Sequence, residues 1–471
     1  MTIIFGTKQK KKHPFIMHKM KHLTILAVAL IIATYTFSLT GCSNPTNPPE
    51  SNREKEKPVA WSEDAAIYEV NIRQYTPEGT FNAFREHLPR LKEMGTEILW
   101  LMPIHPIGEK NRKGKLGSYY AVKDYLGVNP NFGTEEDFRA LVDEVHKLDM
   151  YIIIDWVANH TAWDNALIEE HPDWYTRNEE GEVIAPVEDW SDVADLNYNN
   201  AEVHDYMVNA LKYWVEEFNI DGYRCDVAGM VPTEFWNRAR LALDSIKPVF
   251  MLAEANDPEL HRAFDMTYAW DLHFIFNEVA QGKKEAAHIV TKLREGQEKY
   301  PENAYRMLFT SNHDENSWKG DVYDRLGEAV PTFAALTVAL PGMPLIYSGQ
   351  EACLDKSLAF FEKDSIAWKK CDMFELYKTL LHAKKSNPAL WNGAHGGQIQ
   401  LITPEEEPNL LIFTREKGKN KILAMFNLSD EPQSYHIPEE LKVRGFKKIV
   451  ADKKLKREGK LAPWEFMLFS K

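Results

Sequence analysis

Cysteine is scarce in this chain: four in 471 residues, at 42, 225, 353 and 371. Their spacing matches no zinc or iron–sulfur pattern. Setting Cys42 aside leaves an odd number and no evident disulfide framework. Cys225 sits in an apolar run and is expected to pack as a small hydrophobic residue. No GxGxxG follows the first strand-like segment, which argues against a dinucleotide-binding fold. No internal repeat is found. The longest apolar stretch, Leu23 to Leu39, is short for a membrane span and rich in threonine. The longest stretch without acidic residues is at the N-terminus. Residues 1–41 carry six lysines and no Asp, Glu or Arg. Without them the net charge of -14 becomes -14 - 6 = -20. A body this acidic excludes nucleic acid and an anionic membrane face as partners, and fits a neutral substrate.

The N-terminus reads as an export signal. Basic residues end at Lys21, the apolar stretch follows, and Leu39-Thr40-Gly41-Cys42 closes it. That closing tetrad resembles the lipobox of bacterial lipoproteins, in which the cysteine is lipidated and becomes the new N-terminus. The alternative is an uncleaved anchor. The expected arrangement is a signal peptide at 1–41 and a polar, proline-rich tether at 42–60. The protein would then be exported and lipid-anchored through Cys42, touching the membrane by that lipid alone.

From Ala65 onward, short β-rich runs alternate with amphipathic stretches. Strands are expected at Ala66–Val70, Glu97–Met102, Tyr151–Trp156, Gly222–Val227, Val249–Ala253, Asp265–Ala269, Arg306–Thr310 and Pro344–Tyr347. Helical periodicity is expected over Phe81–Met94, Glu135–Leu148 and Val203–Phe218. Eight such units predict an α/β fold, a (β/α)8 barrel over 61–392. Runs such as Ile152-Ile153-Ile154 suit strands covered on both faces. The long connection 159–200, with Trp163, Trp174 and Trp190, reads as a small insertion overhanging the barrel mouth. Beyond Trp391 the pattern changes to short strands and turns, Gly418-Lys419-Asn420 among them, predicting a C-terminal antiparallel β-sandwich over 393–471.

Several hydrophobic runs end in charged or polar groups. Asp226 closes the fourth strand, and Arg224 lies two residues earlier, on the same side. A guanidinium there is expected to keep Asp226 ionised, as a nucleophile requires. Glu254 closes the fifth strand after an apolar run, a setting expected to raise its carboxyl and suit a general acid. Asn312-His313-Asp314 closes a later strand, and Asp155, Asn159 and His160 follow the third. Singly, each has an ordinary explanation: a helix cap, an ion pair, a buried histidine. Four stations at the ends of barrel strands are a coincidence that points to catalysis.

These stations resemble the signatures of the α-amylase family of glycoside hydrolases. Asp155 to His160 is similar to the first, Gly222 to Asp226 to the second, Glu254 to the third and Asn312-His313-Asp314 to the fourth. Tyr120 to Tyr125, Ala194 to Asn197 and Gly342 to Glu351 resemble further family segments, so the likeness spans roughly 65–351. It implies Asp226 as nucleophile, Glu254 as acid/base and Asp314 as stabiliser of the transition state. It implies Tyr120, His160, Arg224 and His313 as substrate-binding residues. Asn159 is a calcium ligand in many members; here the Asn either does that or serves the barrel alone. The implied substrate is an α-1,4-glucan: starch, glycogen or maltooligosaccharide. Alternatives on the same scaffold are cyclomaltodextrinase or neopullulanase-like action, α-1,6 hydrolysis and glucan transfer. Gly229 and Met230 depart from the family, which often has Lys-His or Asn-Glu there, in contact with sugar beyond the cleavage point. A non-catalytic glycan-binding protein would be expected to have lost its carboxylates, and all three are present. Oligomeric state has no sequence signal.

Overall fold

The computed structural model describes residues 59–403 and 407–471. The segment 1–41, Cys42 and nearly all of 42–60 lie outside the described residues. Among the described residues no helix is long and apolar enough to cross a membrane.

Eight parallel strands close into a barrel. They are β1 (Ile67–Val70), β2 (Ile98–Leu101), β3 (Tyr151–Trp156), β6 (Gly222–Cys225), β7 (Phe250–Ala253), β8 (Met266–Tyr268), β9 (Tyr305–Leu308) and β10 (Met343–Tyr347). The hydrogen-bonded order is β1-β10-β9-β8-β7-β6-β3-β2. All eight fall on the expected runs. Between β3 and β6 the insertion carries an antiparallel pair, β4 (His160–Ala162) and β5 (Val193–Asp195).

Alternation along the strands sorts the side chains. Ile67, Ile98, Ile153, Leu252 and Met266 point inward and pack together, fully buried. The flanking Ile152 and Ile154 face the outer helices. Two residues further along each strand, the inward positions become Glu69, Trp100, Asp155, Glu254 and Tyr268, with Arg224 at the same level on β6. The barrel is therefore apolar below and charged at its C-terminal mouth, where such barrels carry their sites. Gly222 opens β6 with φ +151°. A Cβ there would lie 1.8 Å from the Phe250 carbonyl oxygen, so only glycine lets β6 and β7 approach.

The outer helices follow the expected periodicity, with one correction. Phe81–Met94 is two helices, Phe81–Arg85 and Leu88–Met94. Pro89 lies in the first turn of the second helix, where its missing N–H costs nothing; one turn further into a continuous helix it would break a bond. Phe84, Leu88, Leu91 and Met94 are nevertheless all buried. The helix Glu135–Lys147 starts at a reciprocal capping box between Thr134 and Asp137.

The C-terminal region holds β11 (Gln398–Leu401), β12 (Leu410–Lys417), β13 (Asn420–Asn427), β14 (Gln433–His436), β15 (Lys447–Val450), β16 (Glu458–Leu461) and β17 (Phe466–Ser470). Five strands form an antiparallel sheet in the order β11-β12-β13-β17-β15, and β14 pairs with β16 as a separate ribbon. Strand β16 has no sequence signature: Glu458-Gly459-Lys460-Leu461 is too polar to read as a strand. Leu410 and Ile412 face the ribbon side, whereas Leu411 and Phe413 join the core shared with the barrel helices.

That junction is fastened by Arg415 of β12. Fully buried, it donates to the carbonyls of Gly397, Ala339, Leu340 and Trp391 at 2.8–3.0 Å. Burial pulls its guanidinium down to about 9. The structure also corrects the cysteine reading. Cys353 and Cys371 form a disulfide across Cα atoms 6.0 Å apart, a pairing set by a loop return that spacing cannot reveal. Cys225 is free and buried, as expected.

Replacing Arg415 by Met would leave four buried carbonyls without donors. The expected loss is about 3 kcal/mol or more of folding stability, measured by equilibrium denaturation. A loss under about 1 kcal/mol would show that the clamp is not needed.

Candidate active site

Arg224 is the centre of the mouth. Its side chain is fully buried. Nη1 lies 2.8 Å from Asp155 Oδ1 and 3.0 Å from Asp226 Oδ1, donating to both. Nη2 lies 2.9 Å from Glu254 Oε2, a charge contact off the hydrogen-bond line. Nε donates to the Tyr268 hydroxyl at 3.2 Å, and the guanidinium stacks 5.0 Å from the Trp100 ring centre. One planar cation therefore gathers carboxylates from β3 and from the ends of β6 and β7. Lysine, a single point charge, does not offer this fork.

After Asp226 the chain turns sharply. Val227 adopts φ +36°, ψ +45°, the left-handed region, which is costly for a β-branched residue. The turn aims the Val227 N–H at Glu254 Oε2, 2.8 Å away. Glu254 is thus held by a backbone donor and a guanidinium. Its setting is not the apolar one its preceding run suggested, because the run ends one residue short of the carboxylate. The expectation for Asp226 is corrected too. Burial pushes its carboxyl well above the ordinary range. Arg224 opposes this, while Glu254, Asp155 and Asp314 add to it. The guanidinium is shared with Asp155 and Glu254 instead of serving Asp226 alone. Asp155 is likewise raised by burial, against Arg224, to about 6.

The predicted substrate-binding residues converge on the same cavity of about 470 Å³. Asp226, Glu254, Asp314, Tyr120, His160 and His313 all line it, and Arg224 lies beneath. The Tyr120 hydroxyl is 3.1 Å from Asp155 Oδ2 and 2.7 Å from His313 Nε2, and its ring stacks against that of His313. Asn159 donates to His160 Nδ1 at 3.3 Å, and the ring hydrogen-bonds the Tyr120 backbone. Burial pulls His160 down to about 4, so its ring is neutral at pH 7.

Calcium fits poorly at Asn159. Its amide nitrogen, a donor, faces His160 and lies 3.5 Å from Asp195. Asp195 is the one carboxylate brought to it, whereas calcium takes six to eight oxygens. Among the described residues no group of three or more His, Cys, Asp or Glu side chains is arranged to hold a metal. What Asn159 contacts in this structure is the His160 ring.

Several lining residues had no sequence signal strong enough to single them out. Trp318, Phe360 and Phe361 form an aromatic wall with ring centres 5.1–5.7 Å apart, and Trp318 is 53% exposed. Phe360 lies nearly parallel to Tyr120, at 6.3 Å. Its loop is stitched in place: Gln74 donates to the carbonyls of Ala359 and Glu362, and Arg73 to that of Phe360. Opposite, Trp190 of the insertion packs against His160, and Lys113 pairs with Asp192 at 3.1 Å. Trp174, by contrast, is buried packing. Glu351 lies outside the cavity, bound to Tyr68 and Arg90. Glu69, buried beneath His313, was detectable in principle, since a lone acid in Ile67-Tyr68-Glu69-Val70 points inward by alternation.

The family model for "Alpha amylase, catalytic domain" matches residues 49–397. The chain belongs to the alpha-amylase family. It is a glycoside hydrolase of that family. An alpha-amylase from Lactobacillus plantarum has 33% identity and a TM-score of 0.78, over 87% of this chain and 99% of that one. A structure described as a noncanonic maltogenic alpha-amylase AmyB from Thermotoga neapolitana also has 33% identity and a TM-score of 0.78, over 86% and 98%. Among curated relatives, alpha-amylase MalA of Haloarcula japonica is 26% identical over 80% of this chain, which spans 57% of the MalA length.

Replacing Arg224 by Met in this family member would strand two buried carboxylates, Asp155 and Asp226, and the half-buried Glu254. The expected cost is about 3–5 kcal/mol, seen as a lowered melting temperature at neutral pH and partly recovered in mild acid as the carboxyls take up protons. Stability unchanged at neutral pH would show that Arg224 does not organise the site.

Proposed function

We propose that this enzyme hydrolyses α-1,4-glucosidic bonds of starch, glycogen or maltooligosaccharides with retention of configuration. The observation that carries the reading is the bridging of Asp226 and Glu254 by one guanidinium at the floor of one cavity. Double displacement needs two carboxyl groups flanking a single bond, roughly 5 to 5.5 Å apart. Asp226 attacks the anomeric carbon while Glu254 protonates the departing oxygen; Glu254 then deprotonates the water that frees the sugar. Tyr120 offers its ring face to the glucose unit. His160 and His313 donate to hydroxyls, and Asp314 accepts from them and faces the positive charge of the oxocarbenium-like state. Trp318, Phe360 and Phe361 offer apolar surface to adjoining glucose units.

A second reading, action on cyclic or branched glucans, draws on relatives named cyclomaltodextrinase, 23% identical, and on exposed Met230 where other members place polar residues. Export and lipidation at Cys42 belong to the proposal as well. The Cys353–Cys371 disulfide supports an oxidising compartment.

Wild-type protein is expected to release reducing sugar from soluble starch, and Asp226→Asn to release none. Glu254→Gln should lose on the order of 10²–10⁴-fold in rate. A 5-fluoro-α-glucosyl fluoride should label the peptide that contains Asp226; a wild-type rate in Asp226→Asn would refute the assignment. Chromatography of products from starch, pullulan and cyclodextrin distinguishes the two readings.

The pH profile follows from the raised carboxyls. Asp226 must be ionised to attack, and its pKa lies above the ordinary range, so activity is lost early as pH falls. The acid limb of kcat/KM, which reports the free enzyme, is expected at clearly higher pH than the titration of an exposed carboxyl. An acid limb where an exposed carboxyl titrates would show that burial does not control Asp226.

A further inference from the structure

Glu69 is a carboxylate of the mouth outside the Arg224 cluster. It lies on β1, two residues after inward-pointing Ile67, and is fully buried. Its Oε1 is 2.5 Å from His313 Nδ1 and 3.4 Å from the His313 backbone N–H, and accepts from both. Its Oε2 is buried without a hydrogen-bond partner. A buried carboxylate is costly unless a cation faces it, and the imidazole is the group in contact. Glu69 and Asp314 flank this one ring, an arrangement that favours carboxylate paired with imidazolium.

The far side of the ring meets the cavity. Nε2 is 2.7 Å from the Tyr120 hydroxyl and 3.4 Å from Asp314 Oδ2. The groups facing this ring are Glu69 of β1, Tyr120, Asp314 beside it and Arg224 of β6, with Asp155 of β3 beyond Tyr120. Burial and Arg224 work against a charged ring. Asp314 and Glu69 outweigh them and lift His313 to about 9. His160, across the cavity, has no carboxylate behind it and is held near 4. Two histidines of similar standing in the sequence thus carry different charge.

We propose that Glu69 is a positioning residue that holds His313 as a fixed two-donor ring, spending Nδ1–H underneath so that Nε2–H is always a donor at the cavity, to the Tyr120 hydroxyl in the resting site and to a sugar hydroxyl beside Asp314 when substrate enters. The negative charge of Glu69 also offsets the imidazolium, so the site gains a donor without net positive charge near an oxocarbenium-like state. The kinetic part of this rests on the hydrolase reading above; the protonation of His313 does not.

The test has two arms. Resting protein labelled with ¹⁵N-histidine is titrated by NMR, with no turnover required. His313 is expected to stay protonated on both nitrogens through pH 7 in the wild type. In Glu69→Gln its midpoint should fall by at least one unit, a tenfold change in proton affinity. In the second arm the basic limb of kcat/KM should move to lower pH in Glu69→Gln and recover in part in Glu69→Asp. At pH 8 the Gln variant, with half of its rings or fewer protonated, should lose roughly twofold or more in kcat/KM. A structural Glu69 would lower the melting temperature and leave the midpoint and the basic limb in place, which overturns the proposal. Should the wild type hydrolyse no glucan, the functional reading fails, and the NMR arm still decides whether Glu69 charges His313.

Discussion

A single buried guanidinium sets the terms of this site. Arg224 cannot shed its proton, so everything around it must answer a fixed positive charge in a low-dielectric mouth. Asp155, Asp226 and Glu254 do so from three strand ends. Three carboxylates on one cation leave an excess of negative charge. Burial raises the carboxyls where that excess is least affordable, at Asp226 and Asp155. The cluster is thus short of positive charge before substrate arrives, which suits a reaction that develops a cation on the sugar.

The barrel makes this economical. Inward positions recur every second residue, so a strand beginning with Ile and ending with Glu, Asp or Arg builds an apolar floor and a charged mouth with one pattern. The floor holds the polar layer in place. The insertion and the Phe360 loop add the walls. These walls are fixed too, since Gln74 and Arg73 spend their donors on the loop backbone. Rigid support of this kind keeps side chains within the tolerance that catalysis needs.

The eight barrel strands were legible because each is a short apolar run with its own end signal. The stations at Asp226, Glu254, His313 and Asp314 were legible because they close those runs. What failed to show were features made by chain return. Phe360 and Phe361 lie in a loop without periodicity, and Cys353 finds Cys371 only once that loop closes. Strand β16 pairs with β14 although its one apolar residue, Leu461, gives no alternating pattern to reveal it. The helix predicted over Phe81–Met94 splits where Pro89 forbids continuity, a local rule set aside by the apolar period.

The order of inward residues along each strand belongs to the sequence alone, since alternation is a property of the extended backbone. So do the identities of the carboxylates and of the guanidinium between them. Their charge states do not. Arg224 serves three acids instead of one, Glu254 is held by the Val227 amide instead of apolar neighbours, and His160 and His313 part company in protonation. Each of these follows from which groups lie within a few ångströms after folding, because electrostatic energy depends on distance and burial, and neither exists until the barrel has closed.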